Sequence, residues 1–144
     1  MRRMLLPTTV LAAATAVTLT ASLASGNAAG SKANTVAAKL VGKWTRTVTQ
    51  ADVTKSGGYG VQGGSKFTLT VKKSGAAVVA SPSIGPPFTG KIVAAGGSRV
   101  HINIGTPGTN VWTWRVSGGA LTFTKVKDSE PDRVAVFEGV WKRQ

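Results

Sequence analysis

Between residues 41 and 143 the apolar side chains return at every second position, in short runs separated by Gly, Pro and Ser. A period of two interrupted by turn residues marks half-buried strands, because successive side chains leave a strand on opposite faces. Lys66-Phe67-Thr68-Leu69-Thr70-Val71-Lys72 alternates without a fault and predicts the clearest strand. On the same pattern, strands are predicted at 41–49, 76–80, 88–94, 99–104, 111–116, 120–126 and 133–143. Trp44, Arg46 and Val48 share one face of the first, and Val100, Ile102 and Ile104 alternate with Arg99, His101 and Asn103. Trp112, Trp114 and Val116 share a face, as do Leu121 and Phe123. Residues 36–40 suit one helical turn before the sheet.

Eight strands joined mostly by short turns make a meander, and eight is the number at which a sheet can close around its own side chains or one small ligand. The fold class expected is therefore all-β, an eight-stranded antiparallel up-and-down barrel. Two connections are longer than the rest. Residues 51–64, with Gly57, Gly58, Gly60, Gly63 and Gly64, are predicted to form a mobile lid, and 127–132 a polar, acidic loop. Because 133–143 reads as a single strand, no helix is expected between the last two strands.

The N-terminus has a different character. Arg2 and Arg3 precede an uncharged stretch over 4–23, followed by the small-residue sites Ser22-Leu23-Ala24 and Gly26-Asn27-Ala28. That order is the signature of a cleaved secretory signal peptide. The chain divides into a leader (1–28), a flexible lead-in (29–39) and a barrel domain (40–144). The expected location is extracellular or within the cell envelope. No later segment is apolar for long enough to span a bilayer as a helix. The absence of cysteine excludes disulfides, thiol nucleophiles and thiolate metal sites.

A net charge of +13 points two ways. Outside the membrane it attracts an anionic envelope polymer or lipid surface, and it also keeps a sheet soluble and discourages strand pairing. Beyond the leader only Lys72-Lys73 and Lys142-Arg143 are adjacent, and this dispersion favours the solubilising role. A nucleic-acid partner is not expected.

Trp112, Trp114, Phe67, Leu69, Ile102, Leu121 and Phe123 are the candidate apolar lining of a ligand-binding lumen, and equally the candidate core of a filled one. His101 is expected to face solvent with Arg99 and Asn103 rather than to serve as a haem ligand or base. Asp128, Glu130 and Asp132 could in principle chelate a cation, but they lack the glycine and distal Glu of a calcium loop. A structural loop is favoured, with Asp128 or Asp132 paired to Arg133 or Lys127. With five acidic residues, one histidine and no nucleophile elbow, an enzyme is not expected and no catalytic residue, metal site or cofactor is assigned.

Gly42-Lys43-Trp44 at the start of the first strand resembles the opening motif of the lipocalins and the wider calycin group. The resemblance implies that Trp44 packs across the closed end of the barrel, with a basic residue of the last strand, Arg143 or else Lys142, over its ring. The tail Trp141-Lys142-Arg143, with Leu121-Thr122-Phe123-Thr124 before it, is similar to small lipocalin-like proteins exported by actinobacteria. It implies a secreted binding protein that holds a small apolar or amphipathic molecule in the lumen. The alternative is an envelope-associated basic module with a filled core, adhering to anionic glycans or lipids.

Overall fold

Strand β1 (Gly42–Thr47) pairs with β2 (Lys66–Val71), and the meander continues through β3 (Ala76–Ala80), β4 (Phe88–Ala94), β5 (Arg99–Ile104), β6 (Val111–Ser117), β7 (Ala120–Lys127) and β8 (Gly139–Arg143). Every neighbouring pair is antiparallel, and β8 returns to β1, so the computed structural model, which describes residues 36–144, is a closed eight-stranded barrel. The leader expected at 1–28, and the lead-in as far as residue 35, lie outside the described residues. Among the described residues no helix is long and apolar enough to cross a membrane.

The seam follows from complementary alternation at the two ends of the domain. Trp44 stands opposite Arg143 and Thr45 opposite Lys142, and the Gln144 N–H donates to the Lys43 carbonyl at 2.9 Å. Closure leaves no unpaired edge to template aggregation. The inward positions foreseen from the period of two are buried: Phe67, Leu69 and Val71 on β2, Val100, Ile102 and Ile104 on β5, and Leu121 and Phe123 on β7. A register shift between Val111 and Trp112 marks a bulge in β6, after which Trp112 is fully buried and Trp114 packs half-buried against the core. A 3-10 turn (Ala38–Leu40) precedes β1, and Val36 and Leu40 beside it are both buried.

Two sequence expectations are corrected. The 51–64 connection is not a lid of loop alone: it begins with helix α1 (Gln50–Ser56). Thr49 caps this helix, its hydroxyl accepting from the Asp52 N–H while the Asp52 carboxylate accepts from the Thr49 N–H, a reciprocal capping box. The glycines that suggested a loop lie beyond the last turn. The second correction concerns 133–143, which is not one strand. Pro131 opens helix α2 (Pro131–Phe137), and only Gly139–Arg143 is strand. Pro suits the first helical position because its missing N–H would have had no partner there. The five residues from Arg133 to Phe137 are all buried, which a half-exposed strand cannot achieve. A helix therefore does stand between the last two strands, and α1 and α2 pack together over one end of the barrel.

The seam carries a repeat that the two halves disguise in sequence. Gly42-Lys43-Trp44-Thr45-Arg46 and Gly139-Val140-Trp141-Lys142-Arg143 are both Gly-x-Trp-x-Arg. Each indole N–H donates to the carbonyl four residues back, Trp44 to Leu40 at 3.0 Å and Trp141 to Phe137 at 3.3 Å. Each arginine lies against the other motif's glycine. A Cβ on Gly42 would sit 2.8 Å from Arg143 Nη2, and one on Gly139 2.8 Å from Arg46 Nη2. Both glycines also hold positive φ, +141° and +128°. The starts of the two seam strands are thus built the same way.

Candidate functional site

At the end where the strand order starts and finishes, Arg143 covers the Trp44 ring with its guanidinium carbon 4.9 Å from the ring centroid, and Nη2 donates to the Val41 carbonyl at 2.8 Å. This is the arrangement implied by the resemblance, with Arg143 rather than Lys142 in the covering position. Trp44 has no exposed surface, so this end is closed. At the other end of the seam Arg46 is buried and donates to the Ala135 and Val136 carbonyls while pairing with Asp52 at 2.9 Å. Burial draws its guanidinium below its ordinary pKa, against the pull of Asp52 and Glu138. Arg46 thereby ties β1 to both helices.

The mouth of the barrel, at this Arg46 end, is built differently from the closed end. The α1–β2, β3–β4 and β5–β6 connections and the start of α2 surround a cavity of about 410 Å³. Phe67, Val79 and Ile104 reach it from strand ends, Val136 and Phe137 from α2, and Val61, Ile84 and Phe88 from the surrounding connections and the start of β4. Phe137 forms its floor. The ring of Phe137 lies 6.4 Å from that of Trp112, 6.0 Å from Phe123 and 5.8 Å from Trp141, so it also caps the aromatic core beneath.

This divides the seven residues proposed for the lumen. Phe67 lines the cavity. Leu69, Ile102, Trp112 and Leu121 have no exposed surface and Phe123 almost none, so these five are packed core, and Trp114 is half-buried against it; none of the six lines the cavity. Most of the cavity wall was missed in the sequence. Val136 and Phe137 were hidden in a run read as strand, and the remaining wall residues sit at strand ends or in loops that only the folded chain brings together. Pro131, placed where a helix starts, was the available signal.

The rim carries charge. Asp132 Oδ1 accepts from the Tyr59 and Gly60 N–H groups, both at 2.9 Å, and so fastens the α1–β2 connection to α2. Glu130 also lines the cavity. Arg133 is the cationic lining residue, and it is committed elsewhere: Nε and Nη2 donate to Asp128 at 2.6 and 2.7 Å, and Nη1 to the Thr106 carbonyl at 2.6 Å. Asp128 also accepts from the Trp112 indole and the Glu130 N–H, so this bidentate pair is buried with every polar atom answered. Asp128 with Arg133 is one of the pairings expected from the sequence. His101 lies on the outward face of β5 and its Nδ1–H donates to the Asn110 carbonyl, whose side chain in turn bridges the Ile102 backbone. Among the described residues no group of three His, Cys, Asp or Glu is placed to hold a metal ion.

No family model, curated protein or solved structure matches this chain.

Proposed function

We propose that the protein is an exported, lipocalin-like binding protein that takes a small apolar or amphipathic molecule at the mouth of the barrel rather than in its lumen. The observation that carries this reading is the cavity of about 410 Å³, apolar on its walls and floored by Phe137. Small-molecule pockets commonly run from about 300 to 1,000 Å³ with mostly apolar linings and a few convergent polar groups. The Gly42–Trp44–Arg143 closure supports calycin kinship, and the sequence pattern of the leader supports export. The test is a thermal-shift and calorimetric screen with naphthalene derivatives and alkyl chains of about ten carbons. A bound ligand raises Tm by mass action. Ile84→Trp, which pushes an indole into the cavity from a half-buried loop position, should abolish binding while leaving the far-ultraviolet circular dichroism unchanged. Saturable binding that survives Ile84→Trp would place the ligand elsewhere and refute this reading.

A second reading is supported by how charge is distributed. All five acidic residues, Asp52, Asp128, Glu130, Asp132 and Glu138, lie in or beside α1 and α2 at the mouth. The closed end exposes Lys39, Lys43, Lys72, Lys73 and Lys142 with no acidic side chain among them. Such a face suits an anionic envelope glycan or lipid headgroups, through contacts that weaken with salt. It uses the other end of the molecule and does not compete with the first reading.

A further inference from the structure

Of the five acidic residues, three are neutralised in place. Asp52 pairs with Arg46 at 2.9 Å, Asp128 with Arg133 at 2.6 Å and Glu138 with Lys55 at 3.6 Å. The two with no ion pair among the described residues, Glu130 and Asp132, both line the cavity. Among the described residues the one cation in the lining is Arg133, whose charge is matched by Asp128 and which commits three of its five N–H groups to Asp128 and the Thr106 carbonyl. The unpaired formal charge on the cavity lining is therefore negative, opposite in sign to the +13 of the whole chain. Three phenylalanines, Phe67, Phe88 and Phe137, line the same cavity, and the negative faces of aromatic rings attract cations and repel anions.

From these observations we infer that the cavity selects an amphipathic cation: an alkyl or aryl amine, primary or quaternary, whose apolar body lies on Phe67 and Phe137 and whose ammonium sits between Glu130 and Asp132. This rests on the reading of the cavity as a ligand site and adds the chemical class. It opposes what net charge alone suggests, since a strongly basic protein would be expected to favour fatty acids. Steering and recognition separate here. The basic barrel wall sets the distant field, while the two carboxylates and the ring faces act at contact distance, where screening by salt is weakest.

The experiment is isothermal calorimetry on the full domain with one alkyl chain of about ten carbons bearing in turn an ammonium, a hydroxyl or a carboxylate. The ammonium should bind at least about tenfold tighter than the alcohol, and the carboxylate weakest. Glu130→Gln should cut the ammonium's advantage over the alcohol to within about threefold, chiefly by weakening the ammonium. Asp132→Asn, which keeps an oxygen to accept the Tyr59 and Gly60 N–H groups, should act in the same direction. Equal binding of all three head groups would overturn charge selection while leaving the apolar pocket standing. Tightest binding of the carboxylate would do the same. If none of the three binds, and neutral naphthalenes also fail, the ligand-site reading falls together with this inference.

Discussion

The paired Gly-x-Trp-x-Arg motifs predict that two chemically identical substitutions have unequal costs. Gly42→Ala and Gly139→Ala each place a Cβ at positive φ, +141° and +128°, and each meets an arginine Nη2 at 2.8 Å. The backbone strain is common to both, about 1–3 kcal/mol. The arginines differ in their freedom to move aside. Arg143 is exposed, and moving it gives up one hydrogen bond to Val41 and a surface cation–π contact of about 0.5–1 kcal/mol. Arg46 is buried and held by two carbonyls and Asp52, and outright loss of such a buried pairing costs about 3–5 kcal/mol. A displaced Arg46 forfeits part of that, which brings Gly139→Ala to about 3–5 kcal/mol against about 2–3 kcal/mol for Gly42→Ala. The gap of about 1–2 kcal/mol corresponds to Tm values that differ by roughly 4–16 °C in a domain of this size. Urea unfolding of both variants, with unchanged m-values, measures it directly. A double-mutant cycle sharpens the reasoning: in an Arg46→Met background, Gly139→Ala should cost no more than the backbone strain. Equal costs for the two glycines, or a Gly139→Ala penalty that persists at full size without Arg46, would refute the account.

Two further outcomes follow from the helices at the mouth. Arg133→Met leaves Asp128 buried without its counter-ion and should destabilise by about 3–5 kcal/mol in urea titrations; adding Asp128→Asn, which still accepts from the Trp112 indole, should recover part of the loss. Burial opposes the charged Asp52, but the Thr49 N–H and hydroxyl, with Arg46 and Lys55, hold its pKa below the ordinary carboxylate value. A folded-state pKa below the unfolded one gives stability that is present above about pH 4 and is lost as pH falls through the folded value, so Asp52→Asn should flatten the acid limb of a stability-against-pH curve.

The strands were legible because each is half-buried, and a half-buried strand writes its geometry into the sequence at a period of two. Closure was legible from Gly42, Trp44 and Arg143, whose spacing at opposite ends of the chain makes sense only if the ends meet. The two helices were not. Each spans seven residues, under two turns, too short for a helical period to emerge against its neighbours. In α2 the order Val134-Ala135-Val136 mimics alternation, although all three are buried, and the local signals were Pro131 and the Thr49–Asp52 capping box rather than any periodicity. The cavity was illegible for a further reason: its walls come from strand ends, three loops and one helix, and adjacency of that kind belongs to the tertiary fold. Phe67 was found because it is the inward residue nearest the mouth on the clearest strand.

The position of the cavity is a consequence of how the core is completed. Eight strands enclose little more than the side chains that point inward, and Trp44, Trp112, Trp141, Phe67 and Phe123 are large enough to use that space. A ligand placed among them would have to displace packed aromatic surface worth several kcal/mol. Inserting α2 between β7 and β8 resolves the conflict, because Phe137 packs against Trp112, Phe123 and Trp141 and also lines the cavity at the mouth. On the proposed reading, stability is carried by the strands and the seam, and recognition would fall to connections whose backbones can vary without changing strand register. The buried Asp128–Arg133 pair fits this division: it contributes little to net stability over an apolar substitute, but it fixes where α2 begins and matches the charge of the cation in the cavity lining. The charge at the mouth is left to Glu130 and Asp132, and so the same ion pair that orients the helix also sets the sign of the site.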